Sequence, residues 1–323
     1  MRFRMARVFA HAALLLTVLI IPQPGIAANA SDYGLKPLRI TPDVYVFVGA
    51  NEDFSLANGG NILNTGAIVT DAGVIVINTG PSRLYGEQLR QAIGRITDKP
   101  VIRVYISKLH PDHFLGDQAF RDVPIYASPR TIQLLGEQAE DLTDNMYRLV
   151  GPWMRGTEAV IPNHEAKDGV ERIGGHDIEV LNLAGHTPGD LVLLDRSRRV
   201  LFSGGVVFNQ RAPTTPHADL QQWRDELQHL SQLNFDLLVP SHGPVAHDKL
   251  PIAQTADYLA WLDTTFSRAA GHGMSMAEVL DPDMPERFRR LAVMPDEYQR
   301  SVSHLYGGYE DRTLHAAERV GGD

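Results

Sequence analysis

The sequence predicts an α+β protein in which two mixed β-sheets pack face to face with helices on their outer faces. Three observations carry that expectation. Short β-branched runs separated by turns fill residues 38–78, a strand, helix, strand alternation follows, and the same order returns in the second half of the chain. With 43% hydrophobic and 21% charged residues over 323 positions, the composition is that of an ordinary globular protein. Such a chain can bury one core of about 250 residues.

Residues 1–30 stand apart. Arg2, Arg4 and Arg7 precede the apolar run of residues 12–21, and Ala28-Asn29-Ala30 offers small side chains where a signal peptidase cuts. The pattern predicts a secretory signal cleaved after Ala30, with an uncleaved anchor as the alternative. An apolar run of about ten residues is short for a membrane span. The segment holds three arginines and no acid, so its removal takes the formal net charge from −9 to −12. An acidic surface disfavours nucleic acid and anionic lipid as partners. With no cysteine in the chain, a periplasmic or secreted protein of this sequence uses no disulfide.

In chain order, residues 44–49, 62–63, 67–70 and 74–78 read as strands of an antiparallel meander, with Asp71-Ala72-Gly73 as a hairpin turn. Asn58-Gly59-Gly60-Asn61 reads as a loop, either over a pocket or on the plain surface. Tyr85, Leu89, Ala92, Ile93 and Ile96 fall at helical spacing, and a strand follows over residues 101–106. Residues 125–128 predict a strand and 129–146 a helix carrying Ile132, Leu135, Ala139 and Leu142, before an irregular stretch over 151–169. Further strands are expected over 178–183, 191–195 and 200–208, with Arg196-Ser197-Arg198-Arg199 as a turn. Trp223, Leu227, Leu230 and Leu233 form a helical stripe ahead of a strand over 237–240. The tail is mainly helical, with Tyr258, Leu262 and Phe266 on one face. The expected organisation is a signal over 1–30, a main domain over 31–250, and a helical extension over 251–323 packed on that domain.

The chemistry concentrates where the strand of residues 101–106 ends. His110, Asp112 and His113 lie within four residues, in Leu-His-Pro-Asp-His-Phe, and a sharp bend beyond the strand can aim them at one point. Imidazole nitrogen and carboxylate oxygen are the ligands zinc takes where no thiolate exists. The alternative is a polar turn with Asp112 capping a helix. His186, in Gly-His-Thr-Pro-Gly, and His242, in Ser-His-Gly-Pro, end two other strands in similar glycine and proline turns. Three such strand ends together favour a shared metal site.

These motifs resemble those of the metallo-β-lactamase fold superfamily. The matching stretches are Val-Ile-Asn-Thr-Gly at 76–80, Leu-His-Pro-Asp-His-Phe-Leu-Gly at 109–116, Gly-His-Thr-Pro-Gly at 185–189, Leu-Phe-Ser-Gly-Gly at 201–205 and Ser-His-Gly at 241–243. They occur in family order over roughly residues 40–245. In its leader and flanking motifs the chain looks most like the zinc metallohydrolases that accompany periplasmic quinoprotein (PQQ) dehydrogenases. The resemblance implies the four-layer αβ/βα sandwich, with metal ligands among His110, Asp112, His113, His186 and His242.

Three positions depart from the family pattern. Lys108 stands where the motif has its first histidine, Gly205 where it has a bridging aspartate, and Asn78 where it has a first carboxylate. One ligand set keeps only His110 and His186. The other keeps Asp112, His113 and His242, enough for an open catalytic shell. One zinc ion is therefore expected rather than two, with Lys108 as a catalytic cation stabilising an oxyanion, or as a lysine facing solvent. His217 could replace a lost ligand, and Arg211 and Asp219 read as a loop clamp or as substrate contacts. The implied function is a periplasmic zinc hydrolase of a small molecule, tied to a quinoprotein dehydrogenase system. A metal-poor accessory protein of such a system and a β-lactamase-like hydrolase are the alternatives.

Overall fold

The computed structural model describes residues 32–320. The expected signal segment lies outside the described residues. The first sheet starts as an antiparallel meander of β1 (Leu38–Arg39), β2 (Val44–Phe47), β3 (Thr65–Val69) and β4 (Val74–Ile77). Helix α1 (Arg83–Gly94) then crosses to β5 (Val101–Tyr105), parallel to β4. The one-turn α2 (Pro111–Phe114) leads to β6 (Ile125–Ala127), and α3 (Pro129–Val150) leads to β7 (His164–Glu165). The seven strands lie in sequence order, and the last four run parallel.

The second sheet repeats the scheme. β8 (Gly169–Ile173), β9 (His176–Leu183), β10 (Asp190–Asp195) and β11 (Val200–Phe202) are antiparallel neighbours. Helix α4 (Leu220–Gln232) crosses to β12 (Leu237–Val239), parallel to β11. The chain ends in α5 (Leu250–Gly271), α6 (Met276–Val279), α7 (Glu286–Arg289) and α8 (Asp296–Val320). Both sheets are thus mixed, because each exchanges hairpins for helical crossovers part-way.

Alternation along the strands builds the layers. On β4, Val74 and Val76 pack with Tyr85 and Leu89 of α1, whereas Ile75 and Ile77 join Leu191, Leu193 and Phe202 between the sheets. On β10, Val192 and Leu194 turn the other way, toward Trp223 of α4 and Leu259 of α5. Three apolar layers therefore separate four structural ones. Each buried aliphatic side chain contributes about 1.5–3 kcal/mol, and a one-residue slip of β10 would exchange its two faces. That cost fixes the register. Tyr298 and Val302 of α8 join the α4 and α5 cluster, so the C-terminal helices share the core of the second sheet.

The departures from expectation have local causes. The strand expected over 200–208 stops at Phe202, because Gly204 takes φ +52° and starts a tight turn. A Cβ there would stand 2.5 Å from the Leu191 carbonyl oxygen. Residues 62–63 make no strand, since the Ile62 amide bonds back to Gly60. α3 runs past residue 146 to Val150 and ends where Gly151 adopts φ +54°. β7 and β8 fall in or beside the stretch expected to be irregular, and four of the five β8 residues are exposed, which hides the apolar alternation of a strand. No helix among the described residues is long and apolar enough to cross a membrane.

Candidate metal centre

Loops beyond β5, β9, β11 and β12 meet at one edge of the sandwich. After β5 the chain reaches His110, extended at φ −67° and ψ 142°, and Pro111 opens α2. Proline at a first helical position fixes φ and removes an amide that would lack a partner. The bend brings Asp112 and His113 onto the first turn, with His110 rather than Asp112 at the capping position. Beyond β12, Gly243 turns the chain at φ +88°, where any Cβ would collide with the Asn209 carbonyl. This turn presents His242.

Asp112, His113 and His242 converge. One ligand atom from each lies within 4.8 Å of the other two. Asp112 Oδ2 is 3.7 Å from His113 Nε2 and 3.6 Å from His242 Nε2. All three side chains are buried, and neither Asp112 Oδ2 nor His113 Nε2 has a hydrogen-bond partner.

Neighbouring groups set the tautomers. His242 Nδ1 donates to the Ile62 carbonyl at 2.8 Å, which leaves Nε2 as a lone pair. Ser107 Oγ donates to Asn78 Oδ1 at 3.0 Å and accepts from His113 Nδ1 at 2.8 Å. His113 Nε2 is then a lone pair as well. Asn78 holds this relay from a left-handed φ of +58° and also accepts from the Ser107 amide at 2.9 Å. Burial pushes both imidazoles well below their usual pKa, so they are neutral. Burial also raises the Asp112 pKa, while Lys108 and Arg211 oppose the rise.

A buried carboxylate facing two lone pairs has no internal remedy. A divalent cation satisfies all three atoms at once, and the donor set of one carboxylate and two imidazoles suits zinc with a position left open. The residues present therefore fit a metal ion.

The other expected ligands sit apart from this group. His186 Nε2 is 2.8 Å from Lys108 Nζ, and its ring lies 4.6 Å from that of Trp223. His110 Nε2 faces His217 Nδ1 at 3.2 Å. Neither His110 nor His186 joins the three-residue group, and His217 pairs with His110 instead of completing it. Lys108 is fully buried, which corrects the solvent-facing reading. Burial lowers its pKa to about 8. It does not line the cavity described below, so its influence on that space is electrostatic rather than by contact. Arg211 and Asp219 do not clamp one another. Arg211 Nη1 donates to the Glu52 carbonyl, and Asp219 caps α4 through the amides of Gln221 and Gln222.

Asp112, His110 and His242 open onto a cavity of about 400 Å³. Its walls include Phe54, Leu142, Leu149, Arg211, Glu297 and Arg300. Glu297 and Arg300 come from α8, nearly 200 residues beyond the metal motif, and no local pattern marked them. Their spacing of three on a helix was the one available signal. The Asn58–Asn61 loop is absent from the lining, and Gly59 packs on Trp153 instead.

A sequence profile of the Metallo-beta-lactamase superfamily matches residues 58–242, more than half of the chain. The chain belongs to that superfamily. This metallo-β-lactamase superfamily member is 24% identical over 284 residues to the linear primary-alkylsulfatase of Pseudomonas sp. (strain ATCC 19151), covering 73% of this chain and 54% of the relative. It is 29% identical over 153 residues to the acyl-coenzyme A thioesterase MBLAC2 of Homo sapiens, covering 42% of this chain and 54% of that one. It thus spans about half the length of the curated relatives it matches. Among solved structures, the metallo-beta-lactamase from Pontibacter korlensis superposes with a TM-score of 0.58 at 24% identity, over 70% of this chain and 99% of that one. The superposition shows the shared fold. The matched segment contains Asp112, His113 and His242 and stops short of Glu297 and Arg300.

Proposed function

We propose that this superfamily member is a hydrolase of a small molecule that works with one zinc ion held by Asp112, His113 and His242. The observation that carries the reading is the convergence of Asp112 Oδ2 and His113 Nε2, both buried without a hydrogen-bond partner, with His242, beside a cavity that Asp112 and His242 line. A zinc ion held there supplies a Lewis acid and makes water nucleophilic near neutral pH. The chain supplies the rest. Ser107 and Asn78 fix the His113 ring, the Ile62 carbonyl fixes the His242 ring, and the Lys108 ammonium favours ionised Asp112. Lys108 acts as a positioning and electrostatic group in this account, not as one that touches substrate.

Two curated relatives whose printed activities are sulfatase and thioesterase support hydrolysis of an ester bond. The leader pattern of residues 1–30 supports export to the periplasm, and the flanking motifs support service to a quinoprotein dehydrogenase system. The test is hydrolysis of a small panel of a sulfate ester, a thioester and a chromogenic β-lactam. The reading expects turnover of the sulfate ester or the thioester, lost on chelation, restored by zinc and absent in Asp112→Ala. Turnover indifferent to chelation, or none with zinc present, would overturn it. Turnover of the β-lactam alone would transfer the site to the β-lactamase-like alternative.

A further inference from the structure

Beyond its charge acting on Asp112, Arg211 has no part in this account of the metal centre. Its side chain is only 3% exposed, Nη1 donates to the Glu52 carbonyl, and the buried Nε has no hydrogen-bond partner. The neighbouring acids are engaged elsewhere. Arg300 donates to Asp53 Oδ2 at 2.7 Å and to Glu297 Oε2 at 2.6 Å, and Asp112 belongs to the metal group. Glu297 keeps Oε1 unpaired and is the carboxylate acting most strongly on Arg211, but its other oxygen is already bound to Arg300.

Charge completes the picture. The cavity lining holds Arg211 and Arg300 against Asp53, Asp112 and Glu297, one negative charge in excess. A divalent ion turns that into one positive charge in excess. Much of the remaining wall is apolar, formed by Phe54, Ile62, Leu142 and Leu149. A buried guanidinium N–H with no acceptor is costly to leave unmet, and a negatively charged acceptor satisfies it best. A volume of about 400 Å³ suits a molecule of modest size rather than a polymer.

We infer that the cavity binds an anionic amphiphile, with its negatively charged head on Arg211 and its alkyl chain against Phe54, Leu142 and Leu149. The inference rests on the hydrolase reading for its chemistry and on the cavity alone for its binding. A sulfate, carboxylate or phosphate head shares the required chemistry.

The test is calorimetric titration of the zinc-loaded full chain with decanesulfonate, decanoate, methanesulfonate and decyltrimethylammonium, each below its micelle concentration. At least one of the two anionic amphiphiles binds tenfold or more tightly than the chainless anion and the cationic surfactant. Whichever binds identifies the head. Arg211→Gln loses tenfold or more of that affinity, and Arg211→Lys retains more of it than Arg211→Gln. Equal binding of the cationic surfactant, or affinity unchanged in Arg211→Gln, overturns the inference. Leu149 is 39% exposed, so Leu149→Glu tests the chain contact in a soluble protein if Arg211→Gln fails to fold. Tenfold weaker binding there supports the inference, and unchanged binding overturns it.

The two readings fail separately. Arg211-dependent binding in a protein that hydrolyses nothing upholds the inference and removes the hydrolase. Chelator-sensitive hydrolysis with binding indifferent to Arg211 does the reverse.

Discussion

Lys108 and Gly205 share one space at the edge of the metal centre. A Cβ built on Gly205 stands 2.6 Å from Lys108 Cδ and 3.0 Å from its Nζ, and 2.6 Å from His186 Cδ2. Both residues depart from the superfamily pattern, and the geometry makes the two departures one. The long lysine side chain reaches His186 only because position 205 has no side chain. Gly205→Asp alone should therefore destabilise the fold by about 1–3 kcal/mol through overpacking. Lys108→Ala in the same chain should recover part of that loss, so a double-mutant cycle in urea should give a coupling above about 0.5 kcal/mol.

The relay from Asn78 through Ser107 to His113 carries its own prediction. Ser107→Ala removes both hydrogen bonds of the hydroxyl and frees His113 to take the other tautomer. Loss of a partner behind a ligating histidine typically costs 10–100-fold in metal affinity. Competition with a chromophoric chelator should show a loss of that size in Ser107→Ala, with far-ultraviolet circular dichroism unchanged.

A pH dependence follows from Asp190, which is fully buried and accepts from the amide and the hydroxyl of Thr187, both at 2.9 Å. Burial raises its pKa to about 7, against the opposing effects of Thr187 and Lys108. The folded value lies above the unfolded one, so this residue's stabilising contribution is complete below pH 4. It is lost as the pH rises through 7, over a span worth roughly 4 kcal/mol. Urea unfolding of the parent chain minus that of Asp190→Asn should show a relative decline across pH 4–7 and a plateau above it.

Arg300 should matter for stability through the two acids it holds. Its removal leaves Glu297, which is 1% exposed, with neither oxygen bonded to a side chain of α8 or its surroundings. Arg300→Ala should cost about 1–3 kcal/mol in denaturant unfolding, and Glu297→Gln in the same chain should return part of it.

The layered fold was legible because strand order and crossover order are written in the turns. Asp112, His113 and His242 were legible for a related reason, since histidines at strand ends framed by glycine and proline have few directions to point. His110 and His186 carried the same local marks and yet stand outside the group. His186 meets the buried Lys108 side chain and His110 meets His217, pairings that no spacing rule states. The cavity wall was less legible still. Arg211 was visible as a loop clamp or a substrate contact, without a sign of which, and Glu297 and Arg300 reach the site through packing of α8 on α5. The truncated strand after Phe202 turned on the close approach of Gly204 to Leu191, a contact between strands rather than a property of the segment.

The central claim is that three residues hold one metal ion, and zinc content tests it most directly. Chain equilibrated with zinc and passed through a desalting column should retain about one zinc per chain by plasma mass spectrometry, and Asp112→Ala should retain none. Two zinc ions per chain, or an equal content in the wild type and Asp112→Ala, would contradict the account.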